Sequence, residues 1–193
     1  MRRRAPGDGL LFIRGPSREQ ADGLCERHGA AVAIVNPGDA FVIGGGREAL
    51  SRIAEDARSM HGARMVALPV EVASHTERLA GASAVFREAL RLAPAVFPPR
   101  TGARILSGID AAPVVSRETG LDKLAAQISQ TVQWADCLQA CVEAGATGFL
   151  ELGPGHALSG MAAEIAPGLP VRALDDFRSV QGVRTWLMRH VSP

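Results

Sequence analysis

Hydrophobic and polar residues alternate along residues 9–70 in a pattern that predicts six elements. Short apolar runs rich in β-branched residues predict strands, and apolar residues spaced three to four apart predict helices. In chain order these are a strand (9–15), a helix begun by Ser17 and ended by Gly29, a hairpin of two strands (30–36 and 40–45), a helix (47–61) and a strand (63–70). This order is the split βαβ pattern, so we expect a ferredoxin-like βαββαβ unit with an antiparallel sheet.

After residue 70 the strand and helix patterns continue to alternate. The predicted helices cover residues 76–92, 121–129, 134–144, 156–166 and 179–190, and the predicted extended segments cover 103–110, 112–115, 147–153 and 169–174. Alternation of this kind favours a parallel sheet with helices packed against it. The sequence therefore predicts an α/β protein with a small domain at 9–70 and a second region at 71–193.

Composition narrows the class of function. The 193 residues are 47% hydrophobic and carry a formal net charge of +1, which gives no electrostatic footprint for nucleic acid or a membrane surface. Met1 is followed by arginines rather than by an apolar run, and no stretch is long enough to span a membrane, so we expect a cytoplasmic protein. Cys137 and Cys141 have no acidic or histidine cluster around them, so we interpret them as buried thiols and predict no metal site.

Two strand-to-helix turns could carry chemistry, because ligands of open α/β sheets bind where strands end. The first contains Ser74 and His75; spacing alone favours a structural histidine, and Ser74 is interpreted as a helix cap rather than a nucleophile. The second is ELGPG (151–155), whose glycines allow close backbone approach and whose following helix N-terminus favours an anion or a carbonyl oxygen. We interpret Glu151 there as an ordering contact. The glycines at 44–46 lack the spacing of a nucleotide-binding loop.

Four segments in order resemble the malonyl-CoA:acyl-carrier-protein transacylase family. They are VNPGDAFVIGG (35–45), LPVEVASHTERL (68–79), QISQTVQW (127–134) and ELGPG (151–155). The tail RALDDFRSVQGVRTWL (172–187) is more specifically similar to the epsilon subunit of malonate decarboxylase. The resemblance implies that 71–193 is the C-terminal part of an α/β-hydrolase-like large subdomain, into which a ferredoxin-like small subdomain is inserted.

The resemblance also implies roles for individual residues. His75 matches the catalytic histidine, and Gln127 matches a residue that offers its backbone carbonyl to that histidine. Asn36 and Ser74 are candidate substrate-binding residues, although Asn36 before Pro37 is also an ordinary turn residue. The implied substrates are malonyl-CoA and the phosphopantetheine-type arm of an acyl carrier protein, with no permanently bound cofactor.

One part of the family pattern is absent from the sequence. Family members carry a Gly-His-Ser-x-Gly nucleophile elbow, and no Gly-x-Ser-x-Gly occurs in these 193 residues. We therefore expect a C-terminal portion of such an enzyme that supplies the histidine but not the serine and is inactive alone. We also expect an uncovered apolar surface of about 2,000 Å² that drives self-association or binding to other subunits. A non-catalytic carrier-docking or assembly fragment, or one chain of a split enzyme, remains an alternative.

Overall fold

The computed structural model describes residues 7–94 and 103–190. The first region contains the six expected elements in the expected order. They are β1 (Asp8–Arg14), α1 (Arg18–His28), β2 (Ala31–Asn36), β3 (Ala40–Gly46), α2 (Arg47–Ala57) and β4 (Arg64–Ala67). The strands lie in the order β4-β1-β3-β2, and each neighbouring pair among these four is antiparallel. The predicted ferredoxin-like βαββαβ unit is therefore confirmed.

Both faces of this sheet are apolar. Side chains of successive strand residues point to opposite faces, and β1 alternates accordingly between two clusters. Leu11 and Ile13 pack with α1 and α2, in a core whose largest fully buried side chains are Ile13, Leu24, Ile43 and Ile53. Leu10 and Phe12 belong to a smaller cluster on the other face. The second face is the one on which the candidate site is built.

Local sequence determines where α1 begins and ends. Ser17 and Gln20 form a capping box, in which Ser17 Oγ accepts from the Gln20 N–H (3.3 Å) and Gln20 Oε1 accepts from the Ser17 N–H (2.8 Å). Two backbone donors of the first turn are thereby satisfied. Gly29 ends the helix in a left-handed conformation (φ 68°), which glycine adopts without a steric penalty. Both signals were read in the sequence, and the predicted helix is confirmed.

The elements after β4 follow the prediction with shifted boundaries. They are a 3-10 helix (Glu77–Leu79), α3 (Ala80–Leu92), α4 (Arg117–Ala126), β5 (Val132–Gln133), α5 (Trp134–Glu143), β6 (Phe149–Glu151), α6 (Ala157–Ile165), β7 (Val171–Ala173), a second 3-10 helix (Leu174–Asp176) and α7 (Val180–His190). Strands β6 and β7 pair in parallel, as the alternating pattern predicted.

Several predicted bounds are wrong, and three of the differences have a clear physical reason. Helix α2 ends at Ala57 rather than at residue 61, because the amides of Arg58, Ser59 and Met60 bond three residues back in tightened turns. Helix α4 begins four residues earlier than predicted, because Ser116 Oγ caps it by accepting from the Thr119 N–H (3.1 Å). The extended segments at 103–115 form a single antiparallel bridge, Leu106–Pro113, since the proline offers no amide for a longer ladder.

Strand β5 was not predicted. It adds to the edge of the ferredoxin-like sheet, where Ile34 and Val35 of β2 pair in parallel with Val132 and Gln133. Two residues are too few to show a strand periodicity in the sequence. This strand joins the segment that carries Gln127 to the same sheet that carries the histidine segment.

The chain forms two compact units, Met1–Cys137 and Leu138–Pro193. The ferredoxin-like unit and β5 both lie in the first, and the pair β6-β7 lies in the second. The division into a small subdomain at 9–70 and a large acyltransferase subdomain at 71–193 stays a prediction.

Candidate active site

The backbone of His75 lies in the left-handed region, with φ 62°. A non-glycine residue rarely adopts this conformation, and it persists where the surroundings hold it. The His75 N–H donates to the Ile128 carbonyl (2.9 Å), and the neighbouring residues Ala73 and Thr76 are buried. The turn is therefore fixed by its surroundings, although the sequence around it contains no glycine.

The imidazole of His75 is anchored by one of its two nitrogens. His75 Nδ1 lies 2.5 Å from the carbonyl oxygen of Gln127, and the ring is half-buried. A carbonyl oxygen only accepts hydrogen bonds, so Nδ1 carries the proton and donates it. In the neutral ring Nε2 then keeps its lone pair, which is the form that a general base requires.

The carbonyl that anchors the ring belongs to a helix end. Gln127 is the C-cap of α4, where the last carbonyls have no partner within the helix. Ser83 Oγ of α3 donates to the Ala125 carbonyl, and Arg87 of α3 pairs with Asp122 of α4. These contacts tie the two helices together and fix the position of the carbonyl that His75 uses.

A cavity of about 550 Å³ lies beside His75. His75 and Thr76 line it together with Gly44 of β3, the start of β2 and the segment at 129–133. The polar side chains of Glu77, Arg78 and Gln130 also contribute to its wall. A half-buried imidazole with a free lone pair therefore borders a space large enough for a small-molecule group.

The structure does not bring all predicted residues to this cavity. Asn36 is buried at the far end of β2 and is not among the described residues that line the cavity. Val32, the nearest residue of β2 that lines it, is four residues away, or about 13 Å along a strand. Ser74 is half-buried next to His75, but the 3-10 helix begins at Glu77 with Thr76 as its N-cap. The interpretation of Ser74 as a helix cap is therefore wrong, and the substrate-binding roles of Asn36 and Ser74 stay predictions.

The ELGPG turn is closed by the chain's own carboxylates. Glu151 accepts from the N–H groups of Ser159 (2.8 Å) and Leu158 (3.3 Å) at the start of α6, and the Ser159 hydrogen bond lowers the pKa of Glu151. Asp175 accepts from the Gly155 N–H (2.7 Å). Glu151 is thus an ordering contact, and the anion expected at this helix N-terminus is supplied from within the chain.

The remaining candidates have structural explanations. A Cβ on Gly44 would lie 2.7 Å from Thr76 Cγ2, and one on Gly45 would lie 3.0 Å from Ala30 Cβ, so these glycines allow close packing on both faces of β3.

The predicted buried thiol is found at Cys137, whereas Cys141 is only partly buried. Within residues 7–94 and 103–190, no group of three or more His, Cys, Asp or Glu side chains is arranged to hold a metal ion. In the same ranges no helix is long and apolar enough to cross a membrane.

Two contributors to the site were not identified from the sequence. Thr76 packs on Gly44 behind the histidine, and Arg78 makes a two-pronged ion pair with the buried Asp8 (2.7–3.1 Å). The hydrogen bonds to Asp8 raise the pKa of Arg78. Residues 8 and 78 are distant in sequence and show no shared pattern, so only the fold reveals their pairing. Thr76 could have been noticed as the β-branched residue that follows the histidine in a strand-to-helix turn.

Comparison with known proteins identifies relatives of this chain. No protein-family model matches the chain. The malonyl CoA-acyl carrier protein transacylase of Mycobacterium tuberculosis (strain H37Rv) is 34% identical over 166 residues, which are 86% of this chain and 53% of that protein. The corresponding transacylase of Mycolicibacterium smegmatis is 30% identical over 179 residues, which are 91% of this chain and 60% of that protein.

Solved structures agree with the sequence relatives. The crystal structure of the Mycobacterium tuberculosis transacylase has a TM-score of 0.82 at 29% identity and is matched over 93% of this chain and 57% of its own. The transacylase of Xanthomonas oryzae has a TM-score of 0.84 at 25% identity, over 97% and 59% of the two chains. The predicted acyltransferase fold class is thereby confirmed. The chain is homologous to the malonyl-CoA:acyl-carrier-protein transacylase family, and it spans 53–60% of the length of the curated relatives named here.

Proposed function

We propose that this chain supplies the general base of an acyltransferase that moves malonyl from malonyl-CoA to an acyl carrier protein. The observation that carries the proposal is the orientation of His75, whose Nδ1–H is held by the Gln127 carbonyl while Nε2 remains an acceptor beside a cavity. Homology to transacylases supports the reaction class. The names of these relatives state the substrates, and we propose the same substrates for this chain.

The proposed chemistry needs a hydroxyl group that these 193 residues do not present in an elbow. His75 Nε2 accepts the proton of a serine hydroxyl as its oxygen attacks the thioester carbonyl. The carbon–sulfur bond breaks, and the imidazolium returns the proton to the departing CoA thiolate. In the second half-reaction the carrier's thiol attacks the carbonyl carbon of the malonyl-serine ester, and His75 takes the thiol proton. The ester's carbon–oxygen bond then breaks, and His75 returns the proton to the departing serine oxygen. A serine from another polypeptide segment completes this scheme.

The acyl carrier protein is the proposed acceptor. A structural neighbour with a TM-score of 0.84 and 23% identity is a malonyl-transacylase in complex with its type II polyketide synthase acyl-carrier protein. That complex guides the choice of acceptor to test. The tail at 172–187 supports a finer proposal, that the physiological carrier is the one of a malonate decarboxylase.

A second candidate function is a non-catalytic carrier-docking or assembly fragment. The observation that favours it is the absence of Gly-x-Ser-x-Gly, because a histidine without its hydroxyl partner cannot form the acyl-enzyme. In a comparable serine-histidine system, loss of the serine lowers kcat on the order of a millionfold. We therefore expect the purified chain alone to form no malonylated residue when it is incubated with radiolabelled malonyl-CoA.

Reconstitution separates the two candidates. The chain is mixed with a segment of a relative that carries the Gly-His-Ser-x-Gly elbow, and malonyl transfer to an acyl carrier protein is followed. Recovered transfer supports the base role of His75. Inertness combined with retained carrier binding, measured by calorimetry on the chain alone, supports the docking fragment instead.

A matched pair of histidine variants tests the base itself. In the reconstituted enzyme we expect His75→Ala to lower kcat by several orders of magnitude, with the upper bound set by about a millionfold. His61→Ala serves as the control, because His61 is exposed in the turn after α2 and does not line the cavity. Equal rates for the two variants would contradict the proposal.

The carrier can be identified by competition. With the reconstituted enzyme we expect kcat/KM for a malonate decarboxylase carrier to exceed that for a fatty-acid-type acyl carrier protein by at least about tenfold, a difference of about 1.4 kcal/mol. Equal kcat/KM values for the two carriers would contradict the malonate decarboxylase assignment. They would not contradict the proposed malonyl transfer.

A further inference from the structure

The residue after the candidate base is more deeply buried than the base. Thr76 is 3% exposed, whereas His75 is half-buried and borders the cavity. The methyl carbon of Thr76 lies only 2.7 Å from the position that a Cβ on residue 44 would take. The methyl group fits there because residue 44 is glycine. Thr76 thus fills a notch that Gly44 leaves in the face of β3 opposite the two helices.

The hydroxyl group of Thr76 bonds to the backbone that precedes the histidine. Thr76 Oγ1 donates to the Ala73 carbonyl at 2.7 Å, a bond that spans the Ser74-His75 turn. Ala73 is fully buried, and its Cβ is also close to the notch at Gly44, at 3.4 Å from the position of a Cβ there. The methyl and the hydroxyl therefore hold the two ends of a turn whose central residue is His75.

The turn is also held from the opposite direction. The His75 N–H bonds the Ile128 carbonyl, and its ring bonds the Gln127 carbonyl. The side chain of Gln127 packs on Gly108, where a Cβ would lie 2.8 Å from Oε1. A shift of the turn by a fraction of an ångström would therefore lengthen both bonds, since Gln127 cannot follow it freely.

We propose that Thr76 is a positioning residue for His75, with Gly44 as the receptor of its methyl group. Together they hold the left-handed backbone from which the ring reaches the Gln127 carbonyl and keeps its proton on Nδ1. The inference rests on the proposed function of His75, but it concerns the state of the ring and can be measured on this chain alone.

The first readout is the tautomer of His75. Ring ¹⁵N shifts distinguish a protonated from an unprotonated nitrogen, and they are recorded over a pH series so that the neutral ring is identified from the spectra themselves. We expect Nδ1–H in the wild type. Gly44→Ala and Thr76→Ser should each shift the ring toward a mixture of tautomers, because the first pushes the turn away from β3 and the second leaves the notch empty.

The double variant makes the test specific. Gly44→Ala combined with Thr76→Ser moves one methyl group from residue 76 to residue 44 and removes the atom that would clash. We expect its ring spectrum to be closer to wild type than that of Gly44→Ala alone. Thr185→Ser is the matched control, because Thr185 Oγ1 also donates to a backbone carbonyl, that of Gln181 (2.9 Å), but in α7.

The second readout is transfer by the reconstituted enzyme. We expect the misplaced base in Gly44→Ala to lower kcat on the order of 10²-fold and the double variant to recover most of that loss. Far-ultraviolet circular dichroism verifies that each variant is folded, and Thr76→Ser carries the test if Gly44→Ala does not fold.

Two failures are distinguishable. If folded Thr76→Ser keeps Nδ1–H and transfers malonyl within about twofold of wild type, a change under about 0.4 kcal/mol, Thr76 does not position the base. If the tautomer shifts as expected while the wild-type mixture transfers no malonyl, the positioning inference stands and the proposed function is wrong.

Discussion

At the scale of single residues, the candidate base is defined by its neighbours more than by its own identity. The sequence around His75 predicted a strand-to-helix turn, and only the family resemblance connected it to Gln127, 52 residues later. The left-handed φ of His75 could not be predicted, because no glycine or asparagine marks it and the restraining contacts come from β3 and α4. Local pattern thus locates the turn, and tertiary contacts determine which way its ring points.

Glu151 allows a pH prediction at the same scale. Backbone hydrogen bonds, chiefly from Ser159, lower the pKa of its carboxyl group below the ordinary value of 4.5. A carboxylate with a lowered pKa in the folded state stabilises that state above the unfolded pKa, and the contribution is lost as the pH falls through the folded pKa. We expect Glu151→Gln to lower the urea midpoint at pH 7, and the difference from wild type to shrink below about pH 4.5.

The control for this experiment is Glu55→Gln. Glu55 is an exposed residue of α2, so this exchange should change the urea midpoint little at either pH. A Glu151→Gln difference that stays constant from pH 7 to pH 3 would show that the amide's poorer fit, rather than ionisation, is responsible.

At the scale of elements, the sequence predicted best where each boundary has its own chemistry. Helix α1 has Ser17 at its start and Gly29 at its end, and both were read correctly. Strand β5 was missed because its two residues gain their strand character from pairing with β2, nearly a hundred residues earlier. The span at 103–115 was overpredicted as strand, since apolar composition alone cannot show whether a partner strand is available.

The capping box of α1 gives an element-scale prediction. Ser17→Ala removes the acceptor for the Gln20 N–H and should lower the free energy of unfolding by about 1 kcal/mol. Urea denaturation followed by circular dichroism measures the loss. Ser51→Ala, at an exposed position inside α2, is the control and should be neutral or slightly stabilising, because alanine has the higher helix propensity.

At the scale of the whole molecule, apolar side chains lie on the surface of the described residues. Val85 and Leu92 on α3 are 72% and 88% exposed. Exposed large apolar side chains on one helix favour association with another surface. These observations support the prediction that the isolated chain self-associates or binds a partner subunit.

Removing the two apolar side chains tests this prediction. We expect the isolated chain to show a concentration-dependent mass in light scattering, and Val85→Ser combined with Leu92→Ser to shift that mass toward a single chain. The control exchanges two exposed, uncharged residues, Gln139→Ser with Gln181→Ser, and should leave the mass unchanged. A wild-type chain that stays monomeric at high concentration and binds no hydrophobic dye would refute the prediction.

Strand β5 has a practical consequence for anyone who wishes to divide or rewire this polypeptide. Because β5 pairs the segment that carries Gln127 with the sheet that leads into the histidine turn, the base and its anchor belong to one structural unit. A truncation that ends between residues 75 and 127 would keep the base and remove its anchor. Junctions placed after Cys137, where the first compact unit ends, would leave His75 and Gln127 in the same unit.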